Sequence, residues 1–223
     1  MPRRLLKTLA ACLLALLLAG CWVPERYIAR LKIERDGTYR LTVEGTAVHP
    51  ETFRAMRPVT AEAGRLKPED LKKRQVEVLA PLLKELEQLK SDQRITEANS
   101  IGDGRVRFTL DGTWRLDRGV LVSSELLAPL AYSVGPDGTL RLRMKDAVVS
   151  REAVTLGLAS EGDLSIVLAE GIEVLEHNAQ RAPSSPRGAY RWHIETAGSP
   201  EPFLRIRLPA PVDQGAQKRV AHH

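Results

Sequence analysis

The chain offers few residues in arrangements that do chemistry. Its two cysteines are Cys12 and Cys21, and the second closes the stretch Leu17-Leu18-Ala19-Gly20-Cys21-Trp22. The five histidines are His49, His177, His193, His222 and His223. None falls in the His-x-x-x-His or Cys-x-x-Cys spacing that lets one element supply several metal ligands, so no metal site is expected. The terminal His222-His223 pair reads as a weak metal scavenger at most. Ser123-Ser124 and Ser184-Ser185 lack the glycine-flanked elbow that projects a nucleophile. Glycines gather in Asp-Gly turns and not in a phosphate-binding loop. The expectation is a protein that is not an enzyme, with no catalytic residue and no cofactor.

Glu176-His177-Asn178 is the most chemically suggestive triplet, because an imidazole beside a carboxylate and an amide can bind a ligand or pass a proton. A second reading competes with it. A strand that ends before Ala182-Pro183-Ser184-Ser185-Pro186 needs turn formers, and His177 or Asn178 can serve by bonding backbone across the loop. Tyr190 and Trp192 stand two residues apart and so share one sheet face, either as core or as a platform for a ligand. Tyr190, Trp192 and His177 are therefore the candidate ligand-binding residues.

The elements that would hold these residues are mainly strands. Tyr27 to Glu34 alternates apolar with polar, as does Tyr39 to Val43, and Asp36-Gly37 between them is a strong hairpin signal. Asp137-Gly138 repeats the device between Ala131 to Val134 and Leu140 to Met144. Lys67-Pro68-Glu69-Asp70 has the proline and acids of a first helical turn. Leu71, Val78, Leu82, Leu86 and Leu89 then fall on one face, which predicts a long amphipathic helix lying on a sheet, with Pro81 kinking or briefly breaking it. A membrane-surface helix is the alternative, disfavoured by a polar face of nearly balanced charge. Further short strands are expected at Arg105 to Leu110, Thr113 to Leu116 and Val120 to Val122, separated by Asp-Gly and Arg-Gly turns. A short helix is expected from Ser150 to about Ala159. Asp163 to Leu168, Ile172 to Leu175, Tyr190 to Glu195 and Phe203 to Leu208 complete the strands. The fold class is α+β: antiparallel hairpins and sheet packed against one long kinked helix and a second short one.

Cys21 sits in a distinctive context. Arg3, Arg4 and Lys7 precede an apolar run from Leu9 to Ala19, too short to span a bilayer and of signal-peptide length. With Leu18, Ala19 and Gly20 directly before the cysteine, the stretch resembles the lipobox of bacterial lipoproteins. That resemblance implies cleavage before Cys21 and acylation of its thiol and new amino terminus. It also implies the cell envelope, and the outer membrane's periplasmic face in particular, because Trp22 is not the aspartate that retains such proteins at the inner membrane. Residues 1-20 would then be leader, 21-209 a single domain, and 210-223 a polar tail.

Removing the leader leaves no cysteine for a disulfide, so the fold must rest on its core even in an oxidising compartment. It also removes three of the positive side chains behind the formal charge of +5. The remaining balance gives no concentrated basic face, and no nucleic-acid partner is expected.

The segment "GDLSIVLAEGIEVLEHNAQ", followed by "GAYRWHI" and "PFLRIRL", resembles the end of the LppM-like lipoprotein domain. The start, Cys21-Trp22-x-Pro24-Glu25, is similar to a set of proteobacterial lipoproteins. The likeness implies an α/β lipid-binding type of domain, although the C-terminal membrane helix of that family has no counterpart in the polar tail. The expected function is thus a lipid-anchored, non-catalytic envelope protein that binds a lipid or other apolar ligand in a pocket between sheet and helix. The alternatives are a structural partner of another envelope protein, docked through a strand edge, and a periplasmic hydrolase.

Overall fold

The computed structural model describes residues 22-116, 120-124, 127-135, 137-144, 154-195 and 200-209. Cys21, the leader, the polar tail and Ser150 to Ala153 lie outside the described residues. Among the described residues the chain is α+β, with two sheets and two helices of more than two turns.

Alternation of apolar and polar residues builds the first hairpin, β1 (Val23–Ile33) and β2 (Thr38–Val48), paired from Val23 with Val48 to Ile33 with Tyr39. Asp36 accepts from the backbone N–H and the hydroxyl of Thr38 at 2.9 and 2.8 Å, and Gly37 takes φ +79°. The same Asp-Gly-Thr turn closes the later hairpin β6 (Leu127–Val134) and β7 (Leu140–Met144), with Asp137 accepting twice from Thr139 and Gly138 at φ +73°. Turn chemistry therefore repeats as expected.

After β2 comes a helix that the sequence reading lacked, α1 (Pro50–Ala61). His49 caps it, its Nδ1 accepting from the backbone of Thr52 at 3.2 Å. Pro50 and Glu51 in the first turn are proper start signals, and Pro58 lies inside the helix. The long helix α2 (Pro68–Lys90) begins where expected, and Leu82 and Leu86 are buried in the main core while Leu79 and Leu89 pack against it. Its apolar face thus meets protein. The expected break at Pro81 does not occur: the helix is continuous through it. Pro81 is exposed, so the backbone carbonyl it deprives of a partner can turn to water.

Strand β3 (Ile95–Gly102), also unforeseen, pairs with β4 (Arg105–Arg115) across a tight turn in which Gly102, Asp103 and Gly104 all take positive φ. The second correction concerns β4, which runs straight through Asp111-Gly112 where a turn was expected. Asp111 is held by Nε and Nη2 of the Arg40 guanidinium, at 3.0 and 2.7 Å. Gly112 leaves room for the Trp114 ring, which a Cβ there would overlap. A third correction concerns the end of the helix expected from Ser150 to about Ala159. Only Val154–Thr155 are helical among its described residues, and Leu156–Gly157 form a turn before β8.

The remaining strands are β5 (Val120–Ser124), β8 (Glu161–Leu168), β9 (Glu173–His177), β10 (Ala189–Glu195) and β11 (Phe203–Arg207). Sheet order is β10-β8-β1-β2-β4-β3 in the first sheet and β5-β6-β7-β11-β9 in the second. The pairing of β8 with β1 is parallel, an exception to the antiparallel expectation. One face of the six-stranded sheet carries Ala29, Leu31, Ile33, Leu41, Val43, Phe108, Leu110, Leu164 and Ile166 into a core shared with Leu142, Leu204 and Ile206 of the other sheet. No helix among the described residues is long and apolar enough to cross a membrane.

If α2 is held by its buried stripe, Leu82→Ala should lower unfolding stability by about 2-5 kcal/mol, whereas Leu83→Ala, on the exposed side, should change it by less than about 0.5 kcal/mol. Denaturant unfolding of both variants measures the contrast, and equal losses would contradict this packing.

Candidate binding cleft on the outer face of the six-stranded sheet

Because strand side chains alternate, the residues not used by the core stand together on the opposite face of the first sheet. Register places His193, Asp163, Ile28, Glu44, Thr109 and Glu97 in one cross-strand row over β10, β8, β1, β2, β4 and β3. The next row toward the start of β1 runs Glu195, Glu161, Arg26, Thr46, Arg107, Asn99. On the other side lie Arg191, Ser165, Arg30, Thr42 and Asp111.

Two clefts open on this face. One, of about 520 Å³, is lined by residues of the first two rows, including Arg26, Ile28, Glu44, Arg107 and Glu161. The other, of about 710 Å³, is lined by Arg30, Ser165, Gln180, Arg181, Arg191 and Trp192 among others. They meet at Ile28, Asp163 and His193. Ile28 is 42% exposed, an aliphatic floor in a charged surround.

His193 marks the junction. Its Nδ1 is 3.0 Å from Asp163 and its Nε2 is 3.3 Å from Glu195 and 3.8 Å from Glu161. The hydrogen bond to Asp163, with the charges of all three carboxylates, raises its pKa above the ordinary histidine value. The imidazole is thus held toward its charged form. Below the same sheet, on the core side, burial and the charge of Asp163 push the Tyr27 hydroxyl up to about 12, so it stays protonated.

The arginines of the wider cleft differ in how they are satisfied. Arg30 donates to Glu44 at 2.9 Å. Arg181 and Arg191 face each other across a two-residue antiparallel bridge, their backbones bonded in both directions at 3.3 and 3.0 Å. Neither guanidinium has a carboxylate partner among the described residues. Like charges directly opposite across strands repel, so this pair is a site of uncompensated positive charge.

The sequence-selected residues lie at one end of this arrangement. Asn178 Oδ1 accepts from the Trp192 indole N–H at 2.9 Å and from the Phe203 backbone at 2.8 Å, while its Nδ2 donates to the Glu201 carbonyl at 2.8 Å. It therefore ties β10 of one sheet to β11 of the other. His177 Nδ1 accepts from the backbone of Ala179 at 3.2 Å and its ring meets Tyr190 edge-on, centroids 4.9 Å apart. Turn chemistry is what the geometry shows for this triplet. Trp192 is buried in the main core, Tyr190 is half-buried against it, and neither stands free as a platform. The sequence reading missed His193, Asp163, Glu161 and the arginine pair. Their signal was present in Arg191-x-His193-x-Glu195 and Glu161-x-Asp163-x-Ser165, which alternate as outward-facing polar residues, but only the β8–β10 register brings the two runs together.

These features define an α+β two-sheet domain with a mixed-charge cleft on its open face. No protein-family model matches the chain, and no curated protein matches it. Among solved structures it is similar to the NMR structure of the folded domain of LppM from Mycobacterium tuberculosis. The TM-score is 0.40 and the identity 11%, over 86% of this chain and 93% of that one.

Two measurements follow from the geometry. A raised folded-state pKa means that the stabilisation from His193 is full below the unfolded value near 6.5 and is lost as pH rises through the folded value. NMR titration should place His193 above that value and His193→Gln should flatten the stability change over the window; a midpoint at or below 6.5 would refute the carboxylate cage. For the clasp, Asn178→Ala leaves the Trp192 N–H buried without a partner and should cost about 1-3 kcal/mol. Unchanged unfolding free energy would show that the sheets are joined otherwise.

Proposed function

We propose that this protein is a lipid-anchored, non-catalytic component of the cell envelope that binds an amphiphile with an anionic head in the cleft over β10, β8 and β1. The anchor is Cys21, read from the lipobox resemblance. The ligand reading rests on one observation, the direct cross-strand pairing of Arg181 with Arg191, two cations without a carboxylate partner among the described residues. An anionic group bridging them would replace repulsion with charge-assisted hydrogen bonds. Arg30 stands two strands from Arg191 along the same row, across Ser165, and Ile28 offers an apolar surface beside it. The pocket first expected between helix and sheet is a weaker location, because Leu82 and Leu86 fill that contact. His193 would modulate the cleft's charge: protonated, it offsets one of the three carboxylate charges around it.

The anchor is tested by fractionation: the Cys21→Ser chain should leave the membrane fraction, and undiminished membrane association would sink the anchor. With that non-acylated chain, calorimetric titration should detect a short-chain anionic phospholipid and not its zwitterionic counterpart. Replacing both Arg181 and Arg191 by alanine should weaken binding at least about tenfold, as loss of a charge-assisted contact of about 1.5-3 kcal/mol requires. Equal affinity for both lipids, or indifference to the double substitution, would defeat the ligand assignment.

A further inference from the structure

The start of the fold bears on how the domain sits on its membrane. Trp22 is only 5% exposed and Val23 only 4%; the Trp22 ring packs edge-on to that of buried His49, centroids 5.3 Å apart. Cys21 is joined to Trp22 by a single peptide, which fixes their Cα atoms about 3.8 Å apart. The residue that would carry the acyl chains is therefore fastened to the core with no tether between.

We propose that the domain docks on the bilayer by the Trp22 end of the six-stranded sheet, an orientation that rests on acylation of Cys21. A lipid attached within one residue of the core holds the surface around Trp22 against the headgroups, whereas a long polar linker would let the domain tumble above them. The surface at that end suits the position. The row Val23, Val48, Arg105, Gly102 closes the sheet, and next to Gly102 the irregular end of β3 presents Ile101, 45% exposed. The segment after Val154, itself 59% exposed, packs through Leu156 and Leu158 on Val23 and Val48. Arg57 and Arg105 both stack on the Phe53 ring, at 5.3 and 4.8 Å from its centroid, and Arg57 donates to the Leu156 carbonyl. Arg105 is already held by the Glu25 carboxylate at 3.0 Å, so the cation that faces solvent here is Arg57; exposed aliphatic groups beside it form the mixed surface that an interface of headgroup and acyl chain accepts, since its guanidinium can stay at the phosphate level while its stem lies on apolar atoms.

The far end of β1 is then well clear of the membrane. Eleven residues at strand rise put the β1–β2 turn about 36 Å from Val23 along the strand. The arginine end of the cleft, level with Arg30, stands about 23 Å up the same strand, so the cleft opens alongside the bilayer and not into it.

The test uses the intact acylated protein in vesicles of phosphatidylethanolamine and phosphatidylglycerol. Cleavage removes Cys12 and acylation blocks Cys21, so one introduced cysteine is the sole free thiol. Ile101→Cys and Arg35→Cys, each carrying an environment-sensitive fluorophore, are compared for quenching by headgroup nitroxide lipids; Val154→Cys provides a second probe at the docking end. Quenching severalfold stronger at 101 and 154 than at 35 supports the orientation. Equal or reversed quenching in protein that floats with the vesicles overturns it and leaves the anchor intact. Protein that does not float with the vesicles overturns the anchor, and the orientation with it.

Discussion

Tyr27 lies across Gly162, and much of the architecture depends on that contact. In the parallel ladder Tyr27 is the register partner of Gly162, and in the antiparallel ladder it is the partner of Gly45. A methyl group at 162 would overlap the phenol ring, and one at 45 would meet the backbone carbonyl of Arg26. Only a strand with glycine at this position can lie beside β1 in this register. A slip of one residue would place Leu164 and Ile166 on the solvent face and Asp163 and Ser165 in the core, a change that the burial of those leucine and isoleucine side chains forbids. The ring thus fixes β8, β8 fixes β10, and the outer face acquires its row of Ile28, Asp163 and His193.

The sheet consequently serves two purposes with its two faces. Its inner face builds one core with the second sheet and with α2, and Asn178 joins the two sheets through the Trp192 indole at the margin. Its outer face is not covered by any of the described residues and carries charges of both signs. Carboxylates from Glu161, Asp163 and Glu195 gather around His193, whereas Arg30, Arg181 and Arg191 gather one row further on.

Local signals made the hairpins legible, since Asp36-Gly37-Thr38 and Asp137-Gly138-Thr139 carry their turn within four residues. The start of α2 was legible for the same reason, in Pro68, Glu69 and Asp70. Asp111-Gly112 shows the cost of the rule: the same dipeptide stays extended because Arg40 and Trp114, neither adjacent to it in sequence, occupy its two residues. Pro81 does not break α2, and α1 likewise runs through Pro58, since both prolines lie at exposed positions. The cleft was not legible at all. It needs the parallel register of β1 with β8 and the bridge between Arg181 and Arg191, and long-range pairing of this kind leaves no periodicity in the sequence. What the triplet Glu176-His177-Asn178 announced was a clasp, with the titrating histidine sixteen residues further along the chain.

The central claim is that the open face of the six-stranded sheet, and not the core side, receives the ligand. Mapping backbone amide shifts of the non-acylated chain during titration with a short-chain anionic phospholipid tests it most directly. Shifts concentrated at Ile28, Arg30, Asp163, Ser165, Arg191 and His193 are the expected result. Shifts concentrated at Leu82, Leu86 and Phe108, with the outer rows unchanged, would contradict the account.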